Sequence, residues 1–275
     1  MRRTGRRSST RRIGRLGAGL AAALLVGAPP AYALDLFTLW RQPEIPFQVV
    51  EGAWADYRTQ VMAGGRREEG ITRLACLDRT AGSDDEAWVL EILPLTENAD
   101  GTRTPLPGEG VRLRVDRSLA RREGRLLDAV RAARHWRDGD VVPLTREELQ
   151  ADPLVAASLE DAFLAGQVEI QEPTTRVVTG SELLCRQLVL TAADTAVADL
   201  PAGRMIQETL REIAVAVHPE VPFLGLVYVA ERVRAESRLD PPSDRFRPPA
   251  PRVRVEIMEL VGYGQGARPA FPSAN

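Results

Sequence analysis

Two alternating runs separated by prolines constrain this chain more than any other stretch. From Leu200 to Val233 it reads LPAGRMIQETLREIAVAVHPEVPFLGLVYVAERV, with one run over Met205–Val217 and a second over Leu224–Val233. In the first run Met205, Ile213, Val215 and Val217 share a face with Gln207, Thr209 and Arg211. Ile206, Leu210, Ala214 and Ala216 share the other, and this period of two belongs to strands rather than helices. Pro219 and Pro222 remove two backbone donors from the joint, so the runs cannot fuse into one helix. They are expected to be neighbouring antiparallel strands of a large sheet.

The start of the chain has a different character. Seven arginines lie between Arg2 and Arg15 with no acid among them, followed by the apolar run Leu16–Ala28 and by Ala31-Tyr32-Ala33. This is the order of a signal peptide, with cleavage expected after Ala33. The apolar run is short for a bilayer span, so no membrane anchor is expected after cleavage. Thr10–Leu16 (TRRIGRL) also loosely matches a twin-arginine export signal. The expected compartment is the periplasm or the exterior. Of 36 basic and 38 acidic residues, removal of the seven leader arginines leaves 29 against 38. That acidic balance argues against nucleic acid as a partner.

Two cysteines, Cys76 and Cys185, sit in strand-like runs. In an exported protein they are expected to form a disulfide across a long loop, with two buried free thiols as the alternative. Without a C-x-x-C pair a redox site is not indicated.

The remaining pattern is mostly β. Leu34–Arg41 has helical spacing before Pro43 and predicts a short N-terminal helix. Strands are expected at Trp54–Met62, Ile71–Leu77, Ala87–Leu95, Val111–Val115, Val177–Leu190 and Val253–Val261. Arg122–Trp136 fits a helix or a strand face, and the Arg137-Asp138-Gly139-Asp140 turn after it favours the strand. Thr145-Arg146-Glu147-Glu148 is a capping box that opens a helical insertion near residues 145–164. Residues 263–275 read as a disordered tail. The whole is a mainly β (α+β) chain of one domain over residues 34–262. Its expected form is a curled antiparallel sheet or unclosed β-barrel with short helices as a lid.

No catalytic constellation stands out. His135 and His218 are the only histidines, and neither belongs to a zinc pattern. Each is read first as an ordinary surface or turn residue. There is no G-x-S-x-G elbow around a serine. Acid pairs such as Asp84-Asp85 read as solvated turns, and Gly262-Tyr263-Gly264-Gln265-Gly266 leads to proline rather than to a helix. Neither enzyme activity, metal nor cofactor is expected. The apolar faces carry more weight: Trp54, Trp88, Leu90, Ile206, Leu210, Phe223, Leu226 and Tyr228 are candidate cavity residues if the sheet stays open.

The order of elements resembles the LolA/LolB-like superfamily of outer-membrane lipoprotein-sorting proteins and their periplasmic relatives. Residues Val221, Pro222, Gly225, Leu226 and Val227 match the Val-Pro-x-x-Gly-Leu-Val style that opens a late strand there. The resemblance implies an unclosed β-barrel that cups an apolar cavity under helices. It suggests a carrier for a lipid, an acyl chain or a lipidated protein. The alternative is an envelope scaffold or sensor that docks a protein partner through an acidic surface.

Overall fold

A computed structural model describes residues 36–77, 87–123, 126–137, 139–151, 167–200, 203–242 and 249–271. The early strands are β1 (Trp54–Ala63), β2 (Arg66–Cys76), β3 (Ala87–Glu97), β4 (Arg103–Pro105) and β5 (Glu109–Asp116). After these come β6 (Val130–Arg137) and β7 (Asp140–Leu144). The last five are β8 (Gln167–Val178), β9 (Ser181–Leu200), β10 (Gly203–Val217), β11 (Leu226–Asp240) and β12 (Arg252–Gly264). All pair antiparallel in one sheet, in the order β7-β6-β5-β3-β2-β1-β12-β11-β10-β9-β8, with β4 beside β3. The first and last strands of that path do not pair, so the sheet is not closed.

The two runs around the prolines are β10 and β11, paired in register from Arg204↔Asp240 to Val217↔Leu226. Their joint is pinned by reciprocal backbone bonds: His218 N–H donates to the Gly225 carbonyl at 2.8 Å, and Gln48 and Phe223 exchange bonds at 2.7 Å. Gly225 has φ 66°, and a Cβ there would come within 2.8 Å of the His218 carbonyl oxygen. Only glycine fits that close approach.

One face of the sheet, the inner face, holds the core. Tyr57 of β1, Leu113 and Val115 of β5, Leu188 of β9, Val215 of β10, Val229 of β11 and Met258 of β12 belong to one buried cluster. The short helix Leu36–Arg41 and the segment after it lie in the same cluster through Leu39, Trp40 and Ile45, with Phe47 and Val49 packed against it. A sheet face this wide must be covered by something, and here the chain's own N-terminal segment covers part of it.

The expected capping box forms. Thr145 Oγ1 accepts from the Glu148 amide at 3.2 Å, and Glu148 Oε2 accepts from the Thr145 amide at 2.9 Å, opening the helix Arg146–Ala151. The ambiguous stretch before it divides: Leu126–Ala129 is a single helical turn and Val130 begins β6. Residues 152–166, which hold most of the expected helical insertion, and the signal segment at 1–33 lie outside the described residues.

Two expectations are corrected. Cys76 and Cys185 are both buried thiols, and no disulfide joins them. Four strands lie between β2 and β9 in the sheet order, and each thiol packs separately into the core, so the second alternative holds. Burial raises the Cys185 thiol pKa, partly opposed by the nearby Arg176 charge. The expected disordered tail is docked as far as Phe271, which is 4 % exposed and packs on Leu93 and Leu95 of the outer face. The Ala270 amide donates to buried Glu91 at 3.1 Å, and Arg112 lies over the Phe271 ring at 4.6 Å while bonding Glu91 at 2.8 Å.

Candidate functional site

The inner face is the surface that could hold a ligand, and it changes character along the strands. At its deep end an aromatic chain fills the hollow: Trp40 meets Phe47 edge-on at 6.5 Å, and Phe47 meets Trp88 edge-on at 6.2 Å. Leu90, Phe223 and Leu226 border the same packing. This plug is latched by Arg122, whose guanidinium donates to the Gln42 carbonyl at 2.5 Å and to the Ile45 carbonyl at 2.6 Å. Arg122 sits at φ 59° at the end of the 3-10 turn Arg117–Arg121, a left-handed conformation that aims its side chain back across the plug. Burial lowers its pKa, and nearby Glu44 opposes that shift.

Further along the strands the inner face turns ionic. Glu231 of β11 stands directly opposite Glu256 of β12, and each meets an arginine of its own face, Arg211 and Arg254 respectively. Glu231 is 3 % and Glu256 1 % exposed. Two carboxylates side by side would repel, and the guanidinium groups are what permit their burial. Closer to the plug, Tyr57 has its phenol pKa pushed up by burial first and by the Asp56 charge second, so it is a neutral donor throughout the physiological range.

The outer face carries a second feature, a cleft of about 450 Å³ lined by Arg103, Arg176–Thr179, Val227, Tyr228, Glu259, Leu260 and Val261. It lies where the tip of the β8–β9 hairpin meets β11 and β12, strands that are not its neighbours in the sheet order. Arg176 stacks on the Tyr228 ring at 4.1 Å. A third open groove, about 420 Å³, runs along the distal parts of β9, β10 and β11 beside Leu210.

The structure therefore divides the candidate cavity residues. Trp88, Leu90, Phe223 and Leu226 come together at the deep end of the inner face. Trp54 lies on the other face, where Arg73 covers its ring at 4.6 Å and its Nε1 donates to the Gln265 carbonyl at 3.3 Å. Gly262 and Gly264 exist to clear that indole: a Cβ on Gly264 would lie 3.2 Å from the Trp54 ring. Ile206 and Leu210 also point outward, Leu210 being 46 % exposed. Tyr228 borders the core but lines the outer cleft. Strand parity accounts for all of this, because Ile213 and Val215 take the inner face and even-numbered residues of β10 take the other.

His218 is the turn residue expected, with Nδ1 accepting from the Glu220 amide at 3.3 Å. His135 is half-buried on β6 opposite Val111 and Val142. Among the described residues no group of three or more His, Cys, Asp or Glu is placed to hold a metal ion. No described helix is long and apolar enough to cross a membrane. Sequence reasoning missed Arg122, Arg103 and Arg176. In a chain whose every cation is arginine, nothing distinguished these three.

No protein-family profile matches the sequence, and no curated protein matches it. Among solved structures, a Bacteroides fragilis protein described as having a YmcC-like fold and proposed to be exported aligns over 80% of this chain and 99% of its own. The identity is 9% and the TM-score 0.20, a likeness that carries no argument about fold or function.

Proposed function

We propose that the protein is exported and is a non-catalytic carrier that holds an apolar chain, either a free lipid or the acyl group of a lipidated protein, on the inner face of its sheet. The observation that supports this most is how the plug is attached. Leu39, Trp40, Ile45 and Phe47 cover the deep end of the inner face. The backbone of 36–49 is tied to the rest of the fold by the reciprocal Gln48–Phe223 pair and by the Arg122 latch on the Gln42 and Ile45 carbonyls, not by a strand ladder. An acyl chain that replaced those side chains against Trp88, Leu90 and Leu226 would recover about 0.8 kcal/mol for each methylene buried. A long chain thus offsets the displacement of a short plug. The ionic row of Glu231 and Glu256 then marks where apolar contact ends.

Native mass spectrometry of protein isolated from its own envelope should show a bound mass that delipidation removes, and a fluorescent fatty acid should then load the stripped protein. A Leu90→Arg variant should fail to load. Protein that copurifies with no apolar ligand and also excludes the fluorescent probe would end this reading. The scaffold alternative draws on one observation, the outward groove beside Leu210 on the long strands. It predicts partner crosslinks that persist in Leu90→Arg and vanish in Leu210→Arg.

A further inference from the structure

The outer cleft is built from irregularities that regular pairing does not need. Between Asp56 and Tyr57 the register with β12 slips, leaving Val261 as an extra residue, and between Ala216 and Val217 the register with β11 slips, leaving Val227. Both extra residues line the cleft. A third slip, between Gln171 and Thr174 on β8, precedes the segment Arg176–Thr179 that forms the opposite wall. Bulges of this kind re-aim side chains and gather near binding sites.

The two arginines of the cleft differ in what they already hold. Arg103 donates Nη1 to the carbonyl of bulged Val261 at 3.0 Å and Nε to Glu97 at 3.2 Å, with Asp56 at 3.8 Å, so its charge is matched. Arg176 is stacked on Tyr228, and its Nε is sealed from solvent with no hydrogen-bond partner. Among the described residues no carboxylate lies within ion-pair distance of it. Glu259 lines the same cleft and stays exposed. The sealed Nε is not the edge a ligand would reach, but no described acid matches the guanidinium charge, and an oxyanion entering the cleft would do so through a charge-assisted bond to the Nη end. The walls beside it, Val177, Val178, Val227, Leu260 and Val261, are apolar.

We propose that this cleft binds a small oxyanion, carboxylate or phosphate, anchored by Arg176 over Tyr228, with the valine and leucine walls taking a short apolar tail. The site lies apart from the inner face and does not need the carrier reading. Its volume of about 450 Å³ lies in the range of small-molecule sites.

Calorimetric titration of the full chain with sodium octanoate and, separately, with sodium phosphate tests it. Octanoate binding alone assigns the site to an amphiphile, and phosphate binding as well assigns it to the oxyanion head. In either case Arg176→Gln should weaken binding about ten-fold or more, the size of a lost charge-assisted bond. Glu259→Gln should strengthen it, because a repelling carboxylate is removed from the same cleft. The second variant guards against Arg176→Gln acting through misfolding, since a gain in affinity requires a folded site. A wild-type protein that binds neither ion overturns the proposal. So does octanoate binding that both variants leave unchanged, which would place the ligand on the inner face.

Discussion

The same three strands behave as two materials. Near the joint β9, β10 and β11 are covered: Leu188 and Leu190 of β9 are buried on the inner face with Ile213, Val215 and Val229, and Leu183 and Cys185, of the other parity on β9, are buried as well. Past Thr191 on β9 the cover lapses, and Val197 and Leu210 stand 57 % and 46 % exposed. Among the described residues on the inner face of this distal part, Arg211 is buried at the boundary and the Met205–Leu239 pair at the tip. Backbone pairing runs unbroken from Val217↔Arg186 to Gly203↔Leu200. The ladder is therefore indifferent to the change, and it is the second layer, supplied at the joint end by the plug and the proline loop, that converts alternation into burial.

The largest effect that should separate the two regions is on ion pairs. Arg211 and Glu231 are both buried, whereas Arg238 and Glu208 on the distal part are 62% and 57% exposed. Arg211→Met strands the Glu231 carboxylate and should lower stability by about 3–5 kcal/mol in urea denaturation. Arg238→Ala should cost under about 1 kcal/mol. Equal losses would mean that the distal part is as enclosed as the core.

The next contrast is apolar. Leu188→Ala should cost about 2–5 kcal/mol, because Leu188 is 0% exposed, paired with Val215 and part of the buried core cluster. The denaturation slope should change little if the cavity is local.

How much of this was legible follows from the same contrast. Period-two patterning located β10, β11, β12 and the first three strands, and the capping box located a helix start, because both signals are local. The distal halves were not legible as strands on β9: Thr191–Leu200 lacks large apolar residues on alternate positions, and partner strands rather than its own side chains make it β. The candidate cavity divided evenly for a related reason. Trp88 and Leu90 share a face with the plug, but which parity of β10 turns inward depends on register, and Ile206 and Leu210 carried as much apolar character as Met205. The bulges at Val227 and Val261 left no trace, as both sit in runs that read as uninterrupted strand. Pro173 alone hinted at an irregular β8, since proline is confined to edges and bulges.

The latch gives a smaller effect with a functional readout. Arg122→Gly suits φ 59° yet removes both bonds to the Gln42 and Ile45 carbonyls, and should cost about 1.5–3 kcal/mol. The same variant should take up a fluorescent fatty acid faster than wild type. Lower stability with unchanged uptake would make the segment a permanent part of the core rather than a plug.

Protonation adds a pH-dependent contrast at the joint end. Asp116 accepts from the Ser118 amide at 2.7 Å and from Arg131, and these bonds, Ser118 first, hold its carboxyl well below the usual carboxylate range. A depressed folded pKa means that the ionised form favours the fold. The contribution is present above the unfolded value of roughly 4 and is lost as pH falls toward the folded one. Asp116→Asn should therefore trail wild type in thermal midpoint at pH 7, and the gap should narrow below about pH 4. A gap constant with pH would show that the carboxylate charge is not what the turn uses.

The smallest expected effect is the sharpest test of where the second layer stops. Leu210 lies in a cross-strand row with Ala193, Arg234 and, one strand further, Val253, all on the outer face. Leu210→Arg sets a like charge directly opposite Arg234, which costs a few tenths of a kcal/mol on an exposed ladder. Glu208 and Glu236 line the same groove and lie two residues away along their strands, within reach of the new guanidinium, so the net change should stay within about 0.5 kcal/mol. A loss of several kcal/mol would require Leu210 to be covered in the working protein. The distal strands would then have a layer of their own, and the difference between the two ends of β10 would be one of partner rather than of solvent.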